Sequence, residues 1–164
     1  KINNDNFLFS WEWTQMEQTA SKLLRNAGSW YEHGWTYDGY TNEGEVLGAG
    51  IGPGSNSQYF ALNRIRDKEK LGIALEIIDQ DNDFYYEAFS SAGDPRRYWK
   101  DFNLHINFSK KYKQFWLSSS LMYSKSLNYK WDLEDYATEY YNPGNDVDNF
   151  HMTLKLAYLI PLAN

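Results

Sequence analysis

The chain has no cysteine among its 164 residues. That rules out a disulfide framework and a thiolate metal site, and it leaves the compartment undecided. No stretch approaches the roughly 20 consecutive apolar residues that a membrane-spanning helix requires. Basic residues are in the minority, 16 Lys and Arg against 22 Asp and Glu, for a formal net charge of −6. With no basic run, nucleic acid is not an expected partner. Lys1 is followed by no apolar segment of the kind found in a secretory leader. The expectation is a leader that is absent or already removed, and a chain that forms the C-terminal part of something longer.

Aromatic residues are abundant instead. They make up 18 % of the chain, while the mean hydropathy is only −0.72. A soluble core would take more Leu, Val and Ile. A chain that is polar on average, yet carries Trp, Tyr and Phe at alternate positions, fits a transmembrane β-barrel, in which one face of each strand meets lipid and the other meets water. A soluble aromatic-rich β-sandwich or carbohydrate-binding module is the other reading, and composition does not separate the two.

Six segments alternate as strands do. In Asn6 to Met16, Phe7, Phe9, Trp11 and Trp13 share one face. Gln58 to Arg66 is ambiguous, with Tyr59, Ala61, Asn63 and Ile65 opposed to Phe60, Leu62, Arg64 and Arg66. Lys70 to Gln80 sets Leu71, Ile73, Leu75 and Ile77 on one side. Trp99 to Phe108 sets Phe102, Leu104, Ile106 and Phe108 against Asp101, Asn103, His105 and Asn107. Gln114 to Lys125 continues the pattern, with a possible extension to Trp131. The last strand, Phe150 to Leu162, sends Phe150, Met152, Leu154, Leu156, Tyr158 and Ile160 outward. A short helix is expected within 17–26.

The links between these strands follow a rule. Those at 67–69 and 109–113 are short. Those at 17–57, 79–96 and 132–148 are long, acidic and aromatic, and the two kinds alternate. Bacterial outer-membrane barrels have short periplasmic turns and long extracellular loops. On that pattern the first strand runs outward, the sixth runs inward, and both ends lie in the periplasm. Known barrels begin at about eight strands. The expected fold is therefore all-β: a transmembrane antiparallel β-barrel, of which these are about six C-terminal strands within a larger barrel domain.

The stretch Ser29 to Ser57 dominates the loops. It holds seven of the eleven glycines, together with Trp30, Tyr31, His33, Trp35, Tyr37 and Tyr40. It is too polar and Gly-rich for a regular element and too aromatic for a disordered linker. Tyr31, His33, Trp35, Tyr37 and Tyr40 are the candidate glycan-binding residues, since aromatic rings stack on sugars while neighbouring amides and carboxylates meet hydroxyl groups. The alternative is that these rings pack on one another and shape the loop. The Gly-rich run 48–54 lacks the Lys-Ser/Thr of a phosphate loop and leads into a strand. Asp79, Asp81 and Asp83 have the spacing that opens a calcium loop, but Phe84 and Ser90 stand where glycine and glutamate are required. No metal is therefore assigned, and an irregular cation site at these three aspartates is the alternative. His33, His105 and His151 have no spacing that suggests zinc or a catalytic triad. No catalytic residue and no cofactor are assigned, and the chain is not expected to be an enzyme.

The residues Tyr31-x-His33-Gly34-x-x-Tyr37-x-Gly39-Tyr40-Thr41-x-x-Gly44-x-x-Leu47-Gly48, followed by Gly50-x-Gly52-Pro53-Gly54-Ser55-Asn56, resemble the signature stretch of the Wzi-type capsule assembly proteins, in particular relatives from gliding Bacteroidota. The match covers about 30 residues. Where that family commonly has Gly-His, this chain has Gly48-Ala49, and it lacks the family's usual Arg near Glu45, so no role passes to a histidine there. The resemblance implies a large barrel in the bacterial outer membrane that is bounded by lipid, binds or organises surface (capsular) polysaccharide, and has no enzyme activity. In gliding relatives it implies a part in surface motility, adhesion or a secretion-linked assembly. A structural barrel subunit that docks other outer-membrane or secretion proteins is the second expectation, and a soluble glycan-binding β-sheet module or glycosidase the third.

Overall fold

Apolar and polar residues alternate along every long segment, and the chain answers with strands that each offer two unlike faces. The computed structural model describes residues 5–18, 41–42, 45–89, 98–131 and 145–160. Six long strands form one antiparallel sheet: β1 (Asn6–Gln15), β4 (Asn56–Arg66), β5 (Glu69–Gln80), β6 (Trp99–Tyr112), β7 (Phe115–Leu127) and β8 (Val147–Tyr158). The sheet order is β1-β4-β5-β6-β7-β8, so each long strand pairs with the next long strand in the chain. Two short strands, β2 (Thr41–Asn42) and β3 (Glu45–Val46), pair with each other inside the first long link. Among the described residues the fold is all-β, as expected, apart from one helix, α1 (Asn82–Phe89), and a single 3-10 turn over Tyr129–Trp131.

The register sorts the faces. Phe9, Leu62, Ile73, Ile106, Leu121 and Met152 lie opposite one another in one row that crosses all six strands. Trp11, Phe60, Leu75, Leu104, Tyr123 and Phe150 form the next row. This settles the ambiguous β4: Phe60 and Leu62 join the apolar face, and Tyr59 and Ala61 take the other. Rows on the opposite face are polar, as in Glu12, Tyr59, Glu76, Asn103, Ser124 and Asn149.

Burial runs opposite to that of a water-soluble sheet. On the apolar face Ile73 is 50 % and Ile106 41 % exposed, while on the polar face Ala74 is 3 % and Asn103 8 % exposed. No other described element packs broadly on the sheet. On the central strands the polar face is therefore covered by the curl of the sheet around it, and the apolar face is convex, while the outer strands β1 and β8 are exposed on both faces. Ion pairs border the convex apolar band at both ends: Lys100 with Asp79 at 2.8 Å and Lys110 with Glu69 at 2.9 Å. The sheet is open, since β1 and β8 have no further partner strand among the described residues.

Several boundaries differ from expectation. The link at 109–113 shrinks to Lys113-Gln114, because β6 continues to Tyr112 with Lys110 paired across to Glu69. Lys113 and, in the other short turn, Asp67 take positive φ angles of 54° and 45°, as two-residue hairpin turns commonly require. Strand β7 stops at Leu127 because Asn128, Lys130 and Trp131 adopt left-handed backbone (φ 52°, 56° and 55°), which no strand continues. The expected link 79–96 is not all loop: β5 runs to Gln80 and α1 follows. From residue 19 onward, the short helix expected within 17–26 lies outside the described residues, as does most of the link 132–148.

Candidate functional site at the rim

All three long links leave the same edge of the sheet, at the ends of β1, β5 and β7. Helix α1 sits at this rim, and its N-terminus is held from several directions. The Asp81 side chain accepts the Phe84 N–H at 3.1 Å, which caps the first turn. The Asp81 N–H donates to Ser55 Oγ at 3.0 Å, and the Asn82 N–H to the Gly54 carbonyl at 2.8 Å. Gln18 N–H donates to the Asp83 carboxylate at 3.1 Å. Glu17 accepts from Asn56 Nδ2 at 2.5 Å and from Asn82 Nδ2 at 3.2 Å. The start of the first long link, the end of the Gly-rich run and the start of α1 are thus fastened into one knot.

Behind the knot lies an aromatic cluster drawn from two links. Tyr85 is 5 % exposed and stacks on Tyr98, with ring centroids 4.0 Å apart. Phe84 packs on Trp131 at 4.8 Å, and Trp131 and Tyr129 each meet Trp99 edge-on at 5.2 Å. Trp99 Nε1 donates to Asp101 at 2.8 Å, and Gln80 Nε2 donates to the other oxygen of the same carboxylate at 2.8 Å. Asn128 Nδ2 donates to the Tyr98 carbonyl at 3.1 Å and pins the 3-10 turn against β6. Phe84 and Tyr129 remain exposed at the surface of this cluster.

The sequence-derived candidates fare unequally. Tyr31, His33, Trp35, Tyr37 and Tyr40 lie outside the described residues, within the first long link. The alternative cation site at Asp79, Asp81 and Asp83 is not formed. Asp79 is on the convex face, paired with Lys100, while Asp81 caps α1 and Asp83 holds Gln18. Among the described residues no group of three acidic, His or Cys side chains could hold a metal ion. The physical reason is that β5 extends through Asp79 to Gln80 and a helix begins at Asn82, so the three side chains diverge. His105 faces the concave side, 3.6 Å from Glu76, and His151 lies in the same row with Met122 between them. The sequence reading missed Phe84, Tyr129 and Trp131 as rim aromatics. An available signal was Asp81 as a helix cap followed by the Phe84-Tyr85-Tyr86 run.

The Tyr86 and Tyr98 hydroxyls share a hydrogen bond of 3.3 Å. That bond, then burial, raises the Tyr86 phenol well above its ordinary value. The folded rim therefore favours the neutral phenol. Its contribution to stability is complete below about pH 10, the unfolded value, and is lost as pH rises beyond it. We expect alkaline loosening of the rim above about pH 10, seen as faster amide exchange in α1. Tyr86→Phe should remove that pH dependence, and an unchanged alkaline profile in the variant would contradict the assignment.

Comparison with protein-family models, with curated proteins and with solved structures gives no match.

Proposed function

We propose that this chain forms part of the wall of a bacterial outer-membrane β-barrel, and that its rim loops bind surface polysaccharide without chemical turnover. The observation that carries the membrane reading is the inversion of faces on the central strands β4, β5 and β6: large apolar side chains are exposed on the convex side, while residues such as Ala61, Ala74, Asp101 and Asn103 are buried on the concave side. A soluble sheet must cover its apolar face with a second layer, and an exposed band of this size in water would be an aggregation surface. Strand dimensions fit the same reading. Glu69 and Asp79, which bound the band on β5, are ten residues apart. That is about 33 Å along the strand, or about 25 Å along the barrel axis at a tilt of about 40°. A lipid-facing band is about 25 Å tall. Aromatic rings lie toward both borders, with Trp11 and Trp13 toward the rim and Tyr112, Phe115 and Tyr158 toward the short turns.

The polysaccharide part rests on the resemblance of residues 31–56 to capsule assembly proteins and on the aromatic character of the rim. Binding would be lectin-like, with each ring contact weak and avidity arising from repeated sugar units. Trp35→Ala, Tyr40→Ala and Tyr129→Ala are each expected to lower glycan affinity, about fivefold for a lost stacking contact of roughly 1 kcal/mol. Polysaccharide retained on cells, measured at equal outer-membrane protein levels, is the readout. Unchanged retention in all three variants would count against the proposal.

A further inference from the structure

The concave face carries a second concentration of chemistry, at the end away from the rim. Lys70, Ser109, Ser118 and Lys155 lie side by side on β5, β6, β7 and β8. One row closer to the rim, Asn107, Ser120 and Thr153 line up in the same way. Together these side chains line a cavity of about 480 Å³, within the range of about 300–1,000 Å³ that small-molecule sites occupy.

The charges in this cavity are unbalanced. Lys100, Lys110 and Lys125 on the same sheet are each paired with a carboxylate. Among the described residues neither Lys70 nor Lys155 has an acidic partner. The carboxylates of the concave face, Glu12, Glu76 and Asp101, sit in the rows nearer the rim. The wall is thus acidic toward the rim and basic toward the turns. Between the lysines the surface offers hydroxyl groups and one amide, which can donate to an anion as well as accept. Two ammonium groups flanking a carpet of neutral donors form an anion-binding arrangement, in which charge-assisted bonds supply most of the energy.

We infer that this cavity binds an oxyanion, the phosphate or carboxylate group of a small solute or of a glycan, between Lys70 and Lys155. The inference rests on the proposed function only in taking the concave face to be water-filled. The test uses the full protein in detergent micelles, with inorganic phosphate and sodium glucuronate as probes, read by calorimetry. Saturable binding that weakens as salt rises is expected. The double variant Lys70→Gln/Lys155→Gln should lose tenfold or more in affinity. Lys113→Gln, at the neighbouring turn, should bind as the parent does. Ser118→Val keeps the charge but removes a hydroxyl and fills space, and should also bind more weakly. If glucuronate displaces phosphate at the lower concentration, the site belongs to acidic sugars, and if phosphate wins, to phosphorylated groups. Absence of saturable binding for either probe, or a double variant that binds like the parent, would overturn the inference. A barrel that folds and crosses lipid but binds neither anion removes this site alone. A protein that needs no detergent yet still binds phosphate removes the membrane reading and keeps the site.

Discussion

Arginine at Ile106 is expected to cost about 2–4 kcal/mol of folding free energy in a lipid bilayer, against about 1 kcal/mol or less for arginine at Ser124. The two positions are in adjacent strands, three rows apart and on opposite faces. Ile106 lies in the row in which all six residues are apolar, Phe9 through Met152, which places it near the middle of the band. A guanidinium there must leave water entirely or drag water into the hydrocarbon. Ser124 is on the concave face in the row with Glu76 and Asn103, where a long cationic chain stays wet and has a carboxylate nearby. Urea titration of the protein folded into vesicles, followed by tryptophan emission, measures both costs. Equal tolerance of arginine at the two sites would mean that the convex face does not meet lipid.

The second large effect is expected at Gly54. Its φ of +66° is one that residues with a β-carbon rarely adopt. A β-carbon there would also collide with the Asp81 carboxylate, with the Asp83 side chain 3.1 Å away. Valine at this position meets two penalties, strained backbone and displacement of the cap of α1, together about 2–4 kcal/mol. The loss is local, because the same residue ties the Gly-rich run to the helix through the bond from the Asn82 N–H. Amide exchange at Asn82 and Phe84 should accelerate about 30-fold or more while the strand amides stay protected. Gly50→Ala is the matching control. An added β-carbon there meets nothing within 4 Å, and the change should stay within about 0.5 kcal/mol. Protection in α1 that survives Gly54→Val would show that the knot does not hold the helix.

Strand identity was legible because period-two alternation is enforced by burial on one face, and four aromatics at Phe7, Phe9, Trp11 and Trp13 leave no alternative register. The faces of β4 were not legible. Arg64 and Arg66 share a side with Phe60 and Leu62, and only pairing with β1, where Asp5 meets Arg64 at 3.0 Å, explains why those arginines are tolerated at the end of the band. Helix α1 was hidden because its cap, Asp81, also looked like a metal ligand, and its eight residues are too few for a clear 3.6-residue period. The anion cavity was invisible for a different reason. Lys70, Ser109, Ser118 and Lys155 come from four strands, and no local pattern announces a row that only register assembles.

The chain-order pairing of the sheet also sets its assembly kinetics. The β4–β5 and β6–β7 seams close across two-residue turns, whereas residues 16–55 intervene before β1 can meet β4. Going from a link of two residues to one of forty adds about 2–3 kcal/mol of closure entropy. The two hairpins should therefore form early, at low contact order, and β1 should dock late. For as long as β1 is undocked, the free edge of β4 is a template for strand addition. The long Gly-rich link thus sets the interval during which that edge stays open to a foreign strand.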